Sequence, residues 1–357
     1  MKGFGSLIIL LIATTSCGDK NISTGSSYRT YRMGFNNSAP RFDDINLFVQ
    51  SLTLWTSRAD AAIISEGVPW QALLGGAKPA DYITNNFKGL ADYYRSKNLI
   101  LWVYVDPQNG LERSSDAVEL QTAGRSIAEP AIQQLYRKYV VALDSMLHPE
   151  HVGLALETNL IRAASPPAIY QGVKKAANDA AADLKVRNSK AKISVSVQVD
   201  HAWGKLVNGP YQGIGQDFTD FPFVEELGLS SYPYFGFSNP SEIPTNYYSR
   251  LIESNPIPVF ASEGGWTSAR VISGSSGFAS SPEIQRDYID RQKVLLDEVK
   301  AIAWFQLTFT DIDTSGIPPT VSSNIEYFVF LGMVDTNFQP KPALSSWDDI
   351  FFKLMLR

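Results

Sequence analysis

His151-Val-Gly-Leu-Ala-Leu-Glu-Thr-Asn159 and Pro258-Val-Phe-Ala-Ser-Glu-Gly-Gly-Trp266 both run apolar for a few residues and release a glutamate where turn residues begin. Runs of this length suit buried strands, so Glu157 and Glu263 stand at the ends of two strands far apart in sequence. Carboxylates delivered by separate strands suit paired-acid chemistry, in which one group donates a proton while the other acts as nucleophile.

Around these two runs, the spacing predicts strands over Tyr31–Phe35, Ala61–Ser65, Leu99–Val105, Val152–Glu157, Ile193–Val199, Leu227–Tyr232, Val259–Glu263 and Ala301–Thr308. Helical periodicity fills most of the gaps, over Asp43–Thr56, Ala80–Ser96, Glu129–Leu147, Pro167–Val186, Thr245–Glu253 and Pro282–Val299. Between Val199 and Leu227, Pro, Gly and aromatic residues predict a long loop. Repeated strand–helix alternation makes an α/β fold, a single-domain (β/α)8 TIM barrel with its chemistry at the C-terminal strand ends. A doubly wound sheet is the alternative, but no Gly-x-Gly-x-x-Gly or Walker loop follows any strand.

The 357-residue chain is 44% hydrophobic and 19% charged, with a formal net charge of −5. That composition suits a large core, and the scattered Lys and Arg give no basic stripe for nucleic acid. Aromatic residues make up 12%, which serves a core and also suits sugar faces. His148, His151 and His201 form no metal-binding pair, no Gly-x-Ser-x-Gly elbow is present, and neither metal nor cofactor is expected.

Met1-Lys2 precedes the apolar run Leu7–Ala13 and Thr14-Thr-Ser-Cys17. The run is too short to span a bilayer and resembles a bacterial lipoprotein signal. That resemblance implies a signal peptide over 1–16, a lipidated Cys17 with a Gly/Ser-rich tether over 17–27, and a catalytic domain over 28–357. The expected protein is exported and membrane-anchored at the outer membrane or cell surface, and monomeric. Cys17 is the only cysteine, which excludes an internal disulfide.

Ala261-Ser-Glu-Gly-Gly-Trp266 resembles the seventh-strand nucleophile motif of clan A retaining glycoside hydrolases, particularly the endo-β-1,4-galactanase and β-glucanase groups, with Gly264 where threonine is common. Gly332-Met-Val-Asp-Thr-Asn-Phe-Gln-Pro-Lys-Pro-Ala343 and Trp347 resemble the closing segment of those barrels. The resemblance implies polysaccharide degradation without a cofactor, Glu263 as nucleophile and Glu157 as fourth-strand acid/base. Leu156 stands where those enzymes carry asparagine, and strand alternation would let Asn159 take over its sugar contact. The resemblance further implies that Tyr232 bonds the nucleophile and that Trp304 floors the cleavage subsite, with Gln306 facing the same way. Trp203 and Trp266 are candidate cleft walls. Asn36, Glu66, Asp106 and His201 are candidate carbohydrate contacts at the same barrel face. The rival reading is a non-catalytic glycan-binding lipoprotein on the same barrel, and a barrel enzyme with another substrate is a third.

Overall fold

A computed structural model describes residues 28–356 except 42, 274–275, 318–320 and 322. The signal, Cys17 and the tether lie outside the described residues. Eight parallel strands form one sheet: β1 (Arg32–Phe35), β2 (Ala61–Gly67), β3 (Ile100–Asp106), β4 (His151–Gly153), β5 (Lys192–Gln198), β6 (Glu226–Ser231), β7 (Val259–Gly264) and β8 (Ala303–Gln306). Each strand pairs with its sequence neighbour, β8 pairs with β1, and a bridge from Asn36 to Ile63 joins β1 to β2. The sheet closes on itself as the expected (β/α)8 barrel.

The crossover helices are α1 (Ile45–Trp55), α2 (Gly89–Ser96), α3 (Pro130–Leu147), α4 (Pro167–Val186), α5 (Gly215–Asp220), α6 (Ser249–Ile252), α7 (Pro282–Val299) and, after β8, α8 (Pro342–Phe351). Local chemistry sets their starts. Asp44 caps α1 and Ser281 caps α7, while α3, α4, α7 and α8 open on proline, whose missing N–H loses no bond in a first turn. The predicted Val199–Leu227 loop holds three short helical pieces, Val199–Ala202, a 3-10 turn over Lys205–Val207, and α5.

Side-chain alternation divides two cores. Ala61, Ile63, Trp102, Tyr104, Leu156, Phe260, Ala303 and Phe305 fill the barrel interior, while the opposite faces of the strands pack against the helices. Tyr104 needs the space that glycine leaves. A Cβ on Gly153 would stand 2.3 Å from its ring and one on Gly228 would stand 2.4 Å from its hydroxyl. Below it, Trp102 stacks on His151 at 3.6 Å, and His151 Nδ1 is 2.8 Å from Glu226. The bottom of the barrel is therefore plugged, and its open end lies at the C-terminal ends of the strands.

Candidate active site

At that open end lies a cavity of about 970 Å³, lined by Asn36, Glu66, Asp106, Glu157, Tyr232 and Glu263 among others. Two local distortions aim the paired glutamates into it. β4 stops pairing with β3 after Gly153, although Leu154 and Ala155 still bond to β5. The ladder therefore ends earlier than predicted. Glu157 follows in the left-handed region at φ 51° and begins a helix over Thr158–Ala164, its backbone N–H donating to Ser196 Oγ at 2.9 Å. A non-glycine residue held there carries roughly 1–2 kcal/mol of strain, which places this carboxylate deliberately.

On β7 the register slips between Ala261 and Glu263. With Phe260 facing the barrel interior, strict alternation would send Glu263 toward the helices. The bulge at Ser262 resets the parity and turns Glu263 inward. Gly264 follows at φ 155°, where a Cβ would stand 2.4 Å from Ser231 O. No threonine fits that backbone, which accounts for the glycine in the motif.

The two carboxyl groups meet around Ser230. Its hydroxyl donates to Glu157 Oε1 at 2.6 Å, and Ser230 is the register partner of Glu263 on the neighbouring strand. Arg113 Nε donates to Glu157 Oε2 at 2.9 Å and its Nη1 to Asp106 Oδ2 at 2.6 Å, all three groups being buried. Burial alone would lower the guanidinium's pKa; the charges of Asp106 and Glu157 outweigh it and raise it. Among the described residues, Glu263 has no salt-bridge partner. Burial, reinforced by the charge of Glu157, pushes its carboxyl up to about 8 against the pull of Arg113.

Desolvation thus favours the acid at Glu263, where the expected nucleophile attacks as an anion. Burial also raises Asp106, against the opposing charge of Arg113. Glu66 lies in the cavity wall with water access, surrounded closely enough that desolvation lifts its carboxyl to about 7 while Asn37 opposes the rise.

The cavity does not gather every predicted residue. Asn159 lies in a helix rather than on a strand, and its amide is consumed by Gln198 O at 2.9 Å and Gln198 N at 2.8 Å. Trp304 faces away from the barrel axis and packs on Tyr31 and Trp347, because Ala303 and Phe305 take the interior positions of β8. Gln306 shares the outer parity of Trp304 and donates to Leu331 O at 3.1 Å. Trp266 packs on Tyr234 and Tyr288, and Trp203 stacks on Tyr247 beneath Arg250. His201 is buried outside the cavity lining, where desolvation lowers its pKa.

Other residues in the lining carried no sequence assignment. Arg113 comes from the Gln108–Asn109/Glu112–Asp116 hairpin after β3, and a single arginine in a polar loop has no spacing to mark it. Phe235, Phe278, Tyr327 and Phe328 form one aromatic wall, with Phe235–Phe278 centroids 5.4 Å apart and Tyr232–Phe328 centroids 4.9 Å apart. Asn36 Oδ1, Thr308 Oγ1 and both amide atoms of Gln108, all from lining residues, are buried without a partner among the described residues. Unpaired polar atoms of this kind are costly unless something hydrogen-bonding comes to them.

No protein-family model matches the sequence, and no curated protein sequence matches it. The fold is similar to that of solved glycoside hydrolases. Exo-beta-1,4-mannosidase Op5Man5 from Opitutaceae bacterium strain TAV5 aligns at TM-score 0.64 and 15% identity, covering 91% of this chain and 61% of that one. Bifidobacterium dentium beta-glucuronidase, solved with coumarin-3-O-glucuronide, aligns at TM-score 0.57 and 15% identity over 90% of this chain and 46% of its own. A GH5_18 protein from Bifidobacterium longum subsp. longum, in complex with Manb1-4GlcNAc, aligns at TM-score 0.60 and 15% identity over 92% of this chain and 80% of its own. This chain thus spans about half of the glucuronidase and three fifths of the mannosidase. At such identity the likeness shows the fold alone, the (β/α)8 barrel.

Proposed function

We propose that the protein is a retaining β-glycoside hydrolase acting on a poly- or oligosaccharide, with Glu157 and Glu263 as its two carboxyl groups. The observation that supports this reading is their convergence on one cavity at the open end of the barrel, with Ser230 hydrogen-bonded to Glu157 and paired in register with Glu263. Double displacement requires the two carboxyl groups to stand roughly 5–5.5 Å apart across the bond that is cleaved. In the first step ionised Glu263 attacks the anomeric carbon, the glycosidic bond breaks, and the leaving oxygen takes a proton from Glu157. In the second, Glu157 deprotonates a water that attacks the glycosyl ester and frees Glu263. The unpartnered Asn36 Oδ1 and Gln108 amide suit sugar hydroxyls, and the aromatic wall suits pyranose faces.

The test is reducing-sugar release from a panel of β-glycans, with the anomeric configuration of the first-formed product read by NMR. A β product establishes retention, and absence of release from every glycan refutes the reading. Arg113 favours the second reading, a non-catalytic glycan-binding protein, because Arg113 and Ser230 already hold both oxygens of Glu157 that an acid would present to a glycosidic bond. That reading requires retention on glycan affinity gels without release of sugar. The lipoprotein-like signal supports export and membrane anchoring through Cys17.

A further inference from the structure

Three neighbouring strand ends build one side of the cavity. Asn36 follows β1 and bridges to Ile63 of β2, Glu66 stands near the end of β2, and Gln108 follows β3, whose last residue Asp106 is the register partner of Gly67. Asn36 and Gln108 are only 5% and 3% exposed, yet Asn36 Oδ1 and both amide atoms of Gln108 have no partner among the described residues. On the strand between them, Glu66 reaches water and carries no ion pair among the described residues. We propose that this wall is a subsite for an uncharged sugar unit, held through its hydroxyl groups, and that Glu66 is the specificity-determining residue that turns uronic acids away.

Hydrogen-bonding capacity and charge lead to the same class of ligand. Among the unpartnered lining groups, Asn36 Oδ1 and Gln108 Oε1 accept hydrogen bonds, while Gln108 Nε2 and the Thr308 hydroxyl can donate. A sugar hydroxyl both donates and accepts, so it serves either kind. A carboxylate only accepts and would leave the two amide oxygens buried and unpaired, at the cost of their lost hydration. Charge adds to this preference. The lining holds five carboxyl groups, Glu66, Asp106, Glu112, Glu157 and Glu263, against two cations, Arg113 and Lys205. Arg113 is occupied by Asp106 and Glu157 at 2.6 and 2.9 Å, and the Lys205 ammonium lies 4.4 Å from the ring of Phe237, a residue outside the lining. A uronate against this wall would add negative charge to an acidic cavity beside the unpaired Glu66, where low dielectric strengthens the repulsion; a neutral pyranose would not.

This inference rests on the reading of the cavity as a glycan site, and its test separates it from hydrolysis. Calorimetry at pH 8, above the value of about 7 to which desolvation raises Glu66, measures binding of β-1,3- and β-1,4-linked gluco-, galacto- and mannotetraose. The same tetraoses with every C6 alcohol oxidised to the carboxylate are the matched uronates. A Glu263→Gln background prevents a glycosyl ester from forming, so binding is read without turnover. For the tetraose bound most tightly, oxidation should weaken binding at least about 10-fold. Glu66→Gln should shrink that ratio at least about threefold, and Glu66→Asp, which keeps the charge, should retain it. Glu119→Gln removes an exposed charge on the Val118–Thr122 helix outside the lining and should leave the ratio unmoved. Gln108→Ala should weaken the neutral tetraose about 5- to 10-fold. The proposal is overturned by a ratio that Glu66→Gln leaves unchanged, an oxidised tetraose bound as tightly as its parent, neutral affinity unmoved by Gln108→Ala, or binding of no tetraose. Turnover by the wild type decides the other question. Binding without sugar release removes the hydrolase and keeps the subsite, whereas equal release from parent and oxidised tetraose keeps the hydrolase and removes the subsite.

Discussion

Glu157 and Glu263 differ in environment more than in chemistry, and that difference makes their roles separable. With an activated leaving group, the first step no longer needs an acid. Glu157→Ala should then still form the glycosyl-enzyme, helped by loss of the negative charge that holds Glu263 protonated. Added azide should capture that intermediate from the face water uses, giving the β-glycosyl azide. Glu263→Ala leaves space where the nucleophile stood, and azide entering it should give the α-glycosyl azide. Product NMR distinguishes the two, and equal activity of both variants without azide refutes the assignment. Glu263 also links stability to pH. Its carboxyl is raised from 4.5 to about 8, so between those values the folded protein keeps a proton that the unfolded chain has lost. Stability therefore falls as pH rises through that window. Denaturant midpoints at pH 5 and pH 8 should show a smaller decline in Glu263→Gln, whose neutral amide never ionises.

Individual elements deliver these residues through departures from regularity, so sequence periodicity located the strands better than their side chains. Apolar runs and their alternation with helical segments suffice for the eight barrel strands, because burial on both faces leaves a signal in every run. Residue parity is more fragile. The Ser262 bulge reverses it for Glu263, while β4 gives way to a left-handed Glu157 and a short helix that turns Asn159 from the cavity. On regular β8, parity instead sends Trp304 and Gln306 outward, contrary to the role transferred by resemblance. Ser230 and Arg113 were hidden because their roles depend on neighbours 73 and 44 residues away in sequence. Gly264 tests the bulged element. Restoring the family-like residue through Gly264→Thr should destabilise by roughly 2–4 kcal/mol, since its Cβ meets Ser231 backbone oxygen at 2.4 Å. Urea unfolding measures this, and a stability change within about 0.5 kcal/mol would show that β7 adopts another backbone.

Across the whole molecule, stability and chemistry occupy opposite ends of the barrel. At the closed end, Tyr28–Arg29 pairs with Leu354–Met355, bringing the two described ends together. Arg29 binds Asp60 at 2.7 Å and donates to Phe351 O at 3.1 Å, joining the start of the barrel to the approach to β2 and the end of α8. Arg29→Ala strands a partly exposed Asp60, so a loss of about 3 kcal/mol is expected. The melting temperature should drop by about 5 °C, whereas kcat measured well below it should stay unchanged. A fall in kcat without a change in melting temperature would mean the two ends are coupled. The same polarity constrains an anchor at Cys17. Residues 17–27 reach at most about 40 Å when extended and join the barrel at its closed end. A membrane held by that tether would leave the cavity pointing outward, accessible to polymers too large to enter a narrow gap. Cys17→Ala should therefore move the protein from the membrane to the soluble fraction without changing turnover of soluble oligosaccharides. An unmodified, uncleaved N-terminus by mass spectrometry in the native host would remove the anchor, while loss of turnover in the soluble variant would contradict this separation of ends.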